Sequence, residues 1–265
     1  MHLDKNRSAT SGKIASRLAK AALGTALLFG VGSMALAQNM VVRSTGPSAG
    51  SYPAGKKMAN DAKVTLKAQD QVTILTKSGT RVLKGPGTYS LAQGGGTASS
   101  ASGRLASFIN NRGSSRARTG AVRSAVSDAV EAPTNPSLWF LDMTKGGKFC
   151  VADPNALVLW RPDYTGSATA SIVEPANGNV TEIAWRKGSA LKAWPKDVLP
   201  VTDGASYRLL GSSVSQSVEV NFVVLESEPA DLADAASVLI ENGCEGQLDL
   251  LVETANADSE GPDQG

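Results

Sequence analysis

From Ser137 to Ser227 the sequence breaks into eight short apolar runs: SLWFLDM, KFCVAD, ALVLWRP, ATASIVEP, VTEIAWRK, ALKAWP, ASYRLLG and VEVNFVVLES. Gly, Pro, Asn and Asp punctuate them at intervals of roughly ten residues, which leaves no room for ordinary helices and forces repeated chain reversal. Such a pattern predicts a β-sandwich-like or jelly-roll-like unit over residues 136–254. Trp139, Trp160, Trp185 and Trp194 all fall in or beside the runs. Indole rings supply much of the area of a small β core, and the alternative is a carbohydrate- or peptide-binding face lined by tryptophan.

The pattern then changes period. Glu228-Pro229-Ala230-Asp231 is a helix start, because an early proline fits the first turn and Asp complements the dipole. In LADAASVLIENG, Leu232, Ala235, Ala236, Leu239 and Ile240 share one face, and Asn242-Gly243 ends the helix. EGQLDLLVET predicts a second short helix with Leu248, Leu251 and Val252 inward. Residues 255–265 have almost no apolar content and read as a disordered acidic tail.

Upstream, residues 38–91 form a second β region. AKVTLKA alternates Val64 and Leu66 with Lys63, Thr65 and Lys67, and QVTILTK and TRVLKG follow with Ser78-Gly79 between them. Ser-Gly at that spacing favours a tight hairpin. Gly85-Pro86-Gly87 reads as a hairpin-closing turn; Pro86 has no N–H for a phosphate and no helix follows to present a dipole. The expectation is a small meander or barrel-like domain. Residues 92–135, opening with AQGGGTASSASG, read as a flexible Gly/Ser/Arg linker. Within it, RLASFINNR spaces Leu105, Phe108 and Ile109 for one short amphipathic helix. The whole is thus mainly β: a small N-terminal β domain, a linker, and a C-terminal sandwich-like domain with one or two terminal helices.

Residues 1–37 have their own logic. Lys5, Arg7, Lys13, Arg17 and Lys20 precede the apolar run AALGTALLFGV, and Ala35-Leu36-Ala37 has the A-x-A form of a cleavage site. This is the pattern of a secretory signal peptide cleaved after Ala37, and it predicts an exported, periplasmic protein with no transmembrane span in the mature chain.

Charge is distributed unevenly. Residues 38–93 hold eight Lys/Arg against Asp61 and Asp70, whereas residues 132–265 hold eight basic and nineteen acidic side chains. The halves are expected either to attract one another or to meet different partners. For an exported chain the partner of the basic half is an envelope protein or an anionic envelope surface, not nucleic acid. Arg81, Lys84 and Tyr89, around the Gly-Pro-Gly turn, are the candidate binding residues, with Arg116, Arg118 and Arg123 read as an arginine arm that docks on the acidic half or on a partner. Cys150 and Cys244 are the only cysteines. In an oxidising compartment two such thiols are expected to form a disulfide.

Much chemistry is excluded by composition. The only histidine is His2, inside the leader, so the mature chain has no imidazole for nucleophilic catalysis or for a metal. KGGK at 145–148 lacks the spacing of a phosphate-binding loop. Ser189-x-x-Lys192 and Lys77-Ser78-Gly79 match the motifs of penicillin-recognising enzymes only in reversed order. No cofactor, metal or catalytic residue is assigned.

The order Met40-Val41-Val42, Gly46-Pro47, Pro53-x-Gly55, VTLKAQDQVTIL, Gly79-Thr80 and Leu83-Lys84-Gly85-Pro86-Gly87-Thr88-Tyr89 resembles the FecR-type periplasmic β-domain. The resemblance covers about residues 40–91 and implies a non-enzymatic β module of the cell envelope. FecR proteins signal through a mid-chain transmembrane helix, which this sequence lacks. The leading expectation is an envelope binding, adaptor or regulatory protein. The alternatives are a carbohydrate- or peptidoglycan-directed enzyme using carboxylates such as Asp153, Asp163, Glu174 and Glu182, and a purely structural envelope component.

Overall fold

Alternation builds the first layers. In β3 (Lys63–Leu66), Val64 and Leu66 are buried while Lys63 and Thr65 face solvent. The computed structural model describes residues 39–76, 79–92, 101–112, 134–211 and 214–259. In its N-terminal module, β1 (Asn39–Thr45), β2 (Lys57–Met58), β4 (Gln71–Thr76) and β5 (Gly79–Lys84) form a sheet of order β2-β1-β4-β5. β3 pairs separately with β6 (Gly87–Ser90). Val41, Val64, Leu66, Val72, Ile74 and Leu83 fill the space between these two sheets.

This pairing corrects two expectations. β4 and β5 do form a hairpin across Thr76 and Gly79, but the sheets stay open, and nothing described closes into a barrel. Gly85-Pro86-Gly87 does not close a hairpin either, because β5 bonds to β4 and β6 bonds to β3. The turn, with a cis Gly85–Pro86 peptide, is a corner that carries the chain from one sheet to the other. Its steric reason is plain: a Cβ on Gly85 would lie 1.8 Å from the Lys67 carbonyl oxygen.

The C-terminal module contains the eight predicted strands. They are β7 (Phe140–Asp142), β8 (Gly147–Val151), β9 (Val158–Trp160), β10 (Ala168–Val173), β11 (Val180–Trp185), β12 (Leu191–Ala193), β13 (Ser206–Gly211) and β14 (Val214–Val224). They make a five-stranded sheet, β11-β10-β13-β14-β8, and a three-stranded sheet, β12-β9-β7. The pairings β14–β8 and β9–β7 are parallel and the others antiparallel. Leu159, Ile172, Trp185, Trp194, Tyr207, Leu209 and Phe222 share the core of this module. The Trp194 ring meets Tyr207 and Phe222 edge-on, with centroids 5.1 and 5.2 Å away.

Helices join the modules. α1 (Ala101–Asn110) is the short helix predicted inside the linker, and its Leu105, Phe108 and Ile109 are buried. α2 (Leu232–Asn242) starts at Asp231, whose side chain accepts from the Asp234 N–H, and ends at Gly243 in the left-handed region. α3 (Glu245–Ser259) runs further than the predicted helix, into the stretch read as an acidic tail. One core takes Met40, Val42 and Leu75 from the N-terminal sheet, the apolar face of α1, Trp139 and Cys150, and Ala235, Ala236, Leu239, Leu251 and Ala255 from α2 and α3. Arg43 pairs with Asp249, and the Thr80 hydroxyl bonds Asn256. The described residues from Asn39 onward therefore make one unit, and α1 packs into its core. Cys150 and Cys244 form a disulfide with Cα atoms 5.9 Å apart, fastening β8 to the α2–α3 turn.

Candidate functional site

The cations of the N-terminal module divide into spent and unspent. Arg43 is paired with Asp249 across the joint. Lys56 donates to the Ser51 carbonyl at 2.7 Å and lies over the Tyr52 ring. Arg81 is half-buried on the core side of β5 and donates to the Ser90 carbonyl at 3.0 Å. Tyr89 points the same way from β6, and its hydroxyl donates to the Lys84 carbonyl. Arg81 and Tyr89 thus clasp the two sheets together beside the Gly85–Pro86 corner.

The remaining described cations of this module are lysines. Lys57, Lys63, Lys67 and Lys84 are all exposed, and none is ion-paired to another described residue. Lys63 and Thr65 face outward on β3, opposite Ser90 and Thr88 of β6, and the Thr65 and Thr88 hydroxyls lie 3.1 Å apart. Lys67 and Lys84 flank the corner from its two sides, since Gly85 lies directly on the Lys67 carbonyl.

The acids of this module, Asp61 and Asp70, form no ion pair with these lysines among the described residues. Asp61 is exposed, but Asp70 is 2 % exposed and fully engaged. Its carboxylate accepts from the Ser48 N–H at 2.8 Å and the Lys67 N–H at 2.5 Å. Burial alone would raise its pKa. The hydrogen bonds from Ser48 and Lys67, with the Lys67 charge, outweigh burial and hold it below its ordinary value. Asp70 therefore orders the β3–β4 turn as an anion. Arg116, Arg118 and Arg123 lie outside the described residues.

The four candidate carboxylates occupy separate positions. Asp153 accepts from the Asn155 N–H at 2.8 Å. Asp163 accepts from the N–H and hydroxyl of Thr165, bonds that lower its pKa against a small burial effect, with help from the Arg161 charge. Glu174 accepts from Asn177 at the β10–β11 turn, and Glu182 faces outward on β11. Ser189 donates to the Leu191 carbonyl at 3.1 Å in the turn before β12, with no helix for its S-x-x-K spacing.

None of these carboxylates lines the cleft of about 300 Å³ found in the C-terminal module. Phe140, Trp160 and Leu250 are among its apolar walls, Lys145 to Lys148 form one side, and Asp142 and Glu253 are its acids. Asp142 is occupied by the N–H and hydroxyl of Thr144, at 2.8 and 2.7 Å. KGGK is therefore a turn wall: Gly147 adopts φ of +103°, where other residues would be strained. The other tryptophans are core. Trp139 donates its indole N–H to the Ile109 carbonyl at 2.6 Å, and Trp185 and Trp194 sit in the sandwich.

Sequence reasoning overlooked the cleft because its residues come from β7, β8, β9 and α3, which only the fold brings together. One local signal was present. In EGQLDLLVET a third leucine, Leu250, joins Leu248 and Leu251: it is half-buried, packs partly against the joint core and also borders the cleft. Arg161 was also overlooked: it is 2 % exposed and donates to the carbonyls of Ser189, Gly166 and Arg186 instead of to a carboxylate. Comparison with protein-family models, with curated proteins and with solved structures finds no match.

Proposed function

We propose that this chain is an exported, non-enzymatic envelope protein that binds an anionic envelope surface through the lysines around β3, β6 and the Gly85–Pro86 corner. The carrying observation is the separation of charge roles just described. Arg43, Arg81 and Lys56 have partners within the chain, while Lys63, Lys67 and Lys84 are exposed and form no ion pair with a described residue. An anionic surface attracts such lysines with about 1 kcal/mol each.

Three further points support the reading. The leader pattern and the disulfide agree with an oxidising compartment. No helix among the described residues is long and apolar enough to cross a membrane. The resemblance of residues 40–91 to a FecR-type β-domain suits a non-catalytic envelope module. The carboxylate-enzyme alternative needs two carboxyls across one cleft, and its four candidates occupy four different places along the sandwich.

The test is binding of the oxidised protein to vesicles rich in phosphatidylglycerol and to vesicles of phosphatidylcholine alone. Binding should be confined to the anionic vesicles and weaken as salt is raised. The triple variant Lys63→Glu, Lys67→Glu and Lys84→Glu should bind at least about a hundredfold more weakly, from three lysine contributions. Equal binding to both vesicle types, or an unaffected triple variant, would refute the proposal.

A further inference from the structure

β7 and β8 follow one another in sequence but end on the edges of different sheets, β7 on the three-stranded and β8 on the five-stranded one. The gap between these edges opens as the cleft of about 300 Å³. On its wall, Gln247 of α3 stands where a strand would. Its side-chain oxygen accepts from the Cys150 N–H at 2.6 Å, and its nitrogen donates to the Cys150 and Leu138 carbonyls at 3.0 and 3.1 Å. A single side-chain amide thus makes the bonds that a neighbouring peptide group would make.

The register continues past it. Along a strand bonded to one neighbour, alternate residues turn their N–H and C=O to opposite sides. Cys150 turns away from β14, toward Gln247, so Lys148 turns its main chain the same way, and Lys148 lines the cleft. The cleft therefore presents a main-chain donor and acceptor at Lys148, in step with the Gln247 amide bonded to Cys150.

The walls add side-chain chemistry. Buried Phe140 and Trp160 cluster with Val158 apart from the two large cores, and half-buried Leu250, which also packs against the joint core, borders the same cleft from α3. Exposed Lys145 lies in the turn between β7 and β8 and exposed Glu253 on α3, and neither is ion-paired among the described residues. The opposite charges complement a zwitterion.

We propose that this cleft binds a short peptide with free termini in extended form. Its main chain pairs with Lys148 and an apolar side chain rests between Leu250 and Trp160, with Phe140 buried behind them. Its carboxylate lies toward Lys145 and its ammonium toward Glu253. The volume sits at the small end of ligand sites and holds about two or three residues. This site is independent of the lysine surface proposed above.

The experiment is an NMR titration of the full, ¹⁵N-labelled, oxidised chain with Ala-Leu-Ala, and with the same tripeptide acetylated and amidated. Saturable shifts are expected at the Gly147 and Lys148 amides and the Trp160 indole, with the capped peptide at least about tenfold weaker. Leu250→Arg should abolish the shifts. Glu253→Lys, at an exposed position that does not threaten folding, should weaken them, and Lys84→Glu should leave them unchanged. No saturable shift, shifts centred elsewhere, or wild-type binding by Glu253→Lys would overturn the site. Equal binding of the capped peptide would overturn the assignment to free peptides.

Discussion

Gly85 and Asp70 carry the N-terminal module's geometry, and each makes a sharp prediction. The Gly85 N–H donates to the Asp70 carbonyl at 2.8 Å, and its Cα lies against Lys67 too closely for any side chain. Gly85→Ala should therefore cost about 3 kcal/mol, read from the urea midpoint, because the obstacle is main chain and cannot rotate away. Asp70 predicts a pH profile. Its pKa is depressed in the folded state, so its contribution is complete above the ordinary value near 3.8 and is lost as pH falls through the depressed folded value. Asp163 acts with the same sign. Acid titration of stability should show this loss at the acid end, and Asp70→Asn should shrink it. An unchanged acid limb in that variant would contradict the role given to Asp70.

At the scale of elements, local and non-local information part company. The eight strands of the sandwich, the inward face of α1 and the end of α2 at Gly243 follow from alternation, amphipathic spacing and capping, which neighbouring residues determine. Pairing partners do not. Gly85-Pro86-Gly87 has the composition of a hairpin turn, yet β6 finds β3 rather than β5, because Val64 and Leu66 must face Ile74 and Leu83 across the module. β2 spans only Lys57–Met58 and has too few residues for a pattern. The candidate site is affected in the same way: Arg81 and Tyr89 have partners that depend on where the corner leads. Among elements, α1 makes the clearest test, since Phe108 packs where three parts of the chain meet. Phe108→Ala should cost about 3–5 kcal/mol. Asp231→Ala, at the exposed start of α2, should cost only about 1 kcal/mol. Chemical denaturation ranks the two, and a reversed order would contradict the burial of α1.

Across the whole molecule, the basic and acidic halves are neither strangers nor fully matched. Arg43–Asp249 and Arg112–Glu228 are the ion pairs among the described residues, and neither uses the lysines of β3 and the corner. Apolar burial holds the joint, with the disulfide closing a loop of sequence separation 94. A loop of that length is worth about 4–5 kcal/mol in the chain-entropy model. The oxidised protein should therefore unfold in one calorimetric transition, and Cys150→Ala with Cys244→Ala should lower its midpoint strongly while keeping one transition. Two separate transitions in the oxidised protein would show that the modules fold apart.

Hydrogen exchange of the oxidised protein on phosphatidylglycerol-rich vesicles tests most directly whether the lysines of β3 and the corner form the proposed binding surface. Protection relative to the free protein should concentrate at residues 63–67 and 84–90, with α2 and α3 unchanged. Bound protein whose new protection lies over residues 232–259, or nowhere on the N-terminal module, would contradict it.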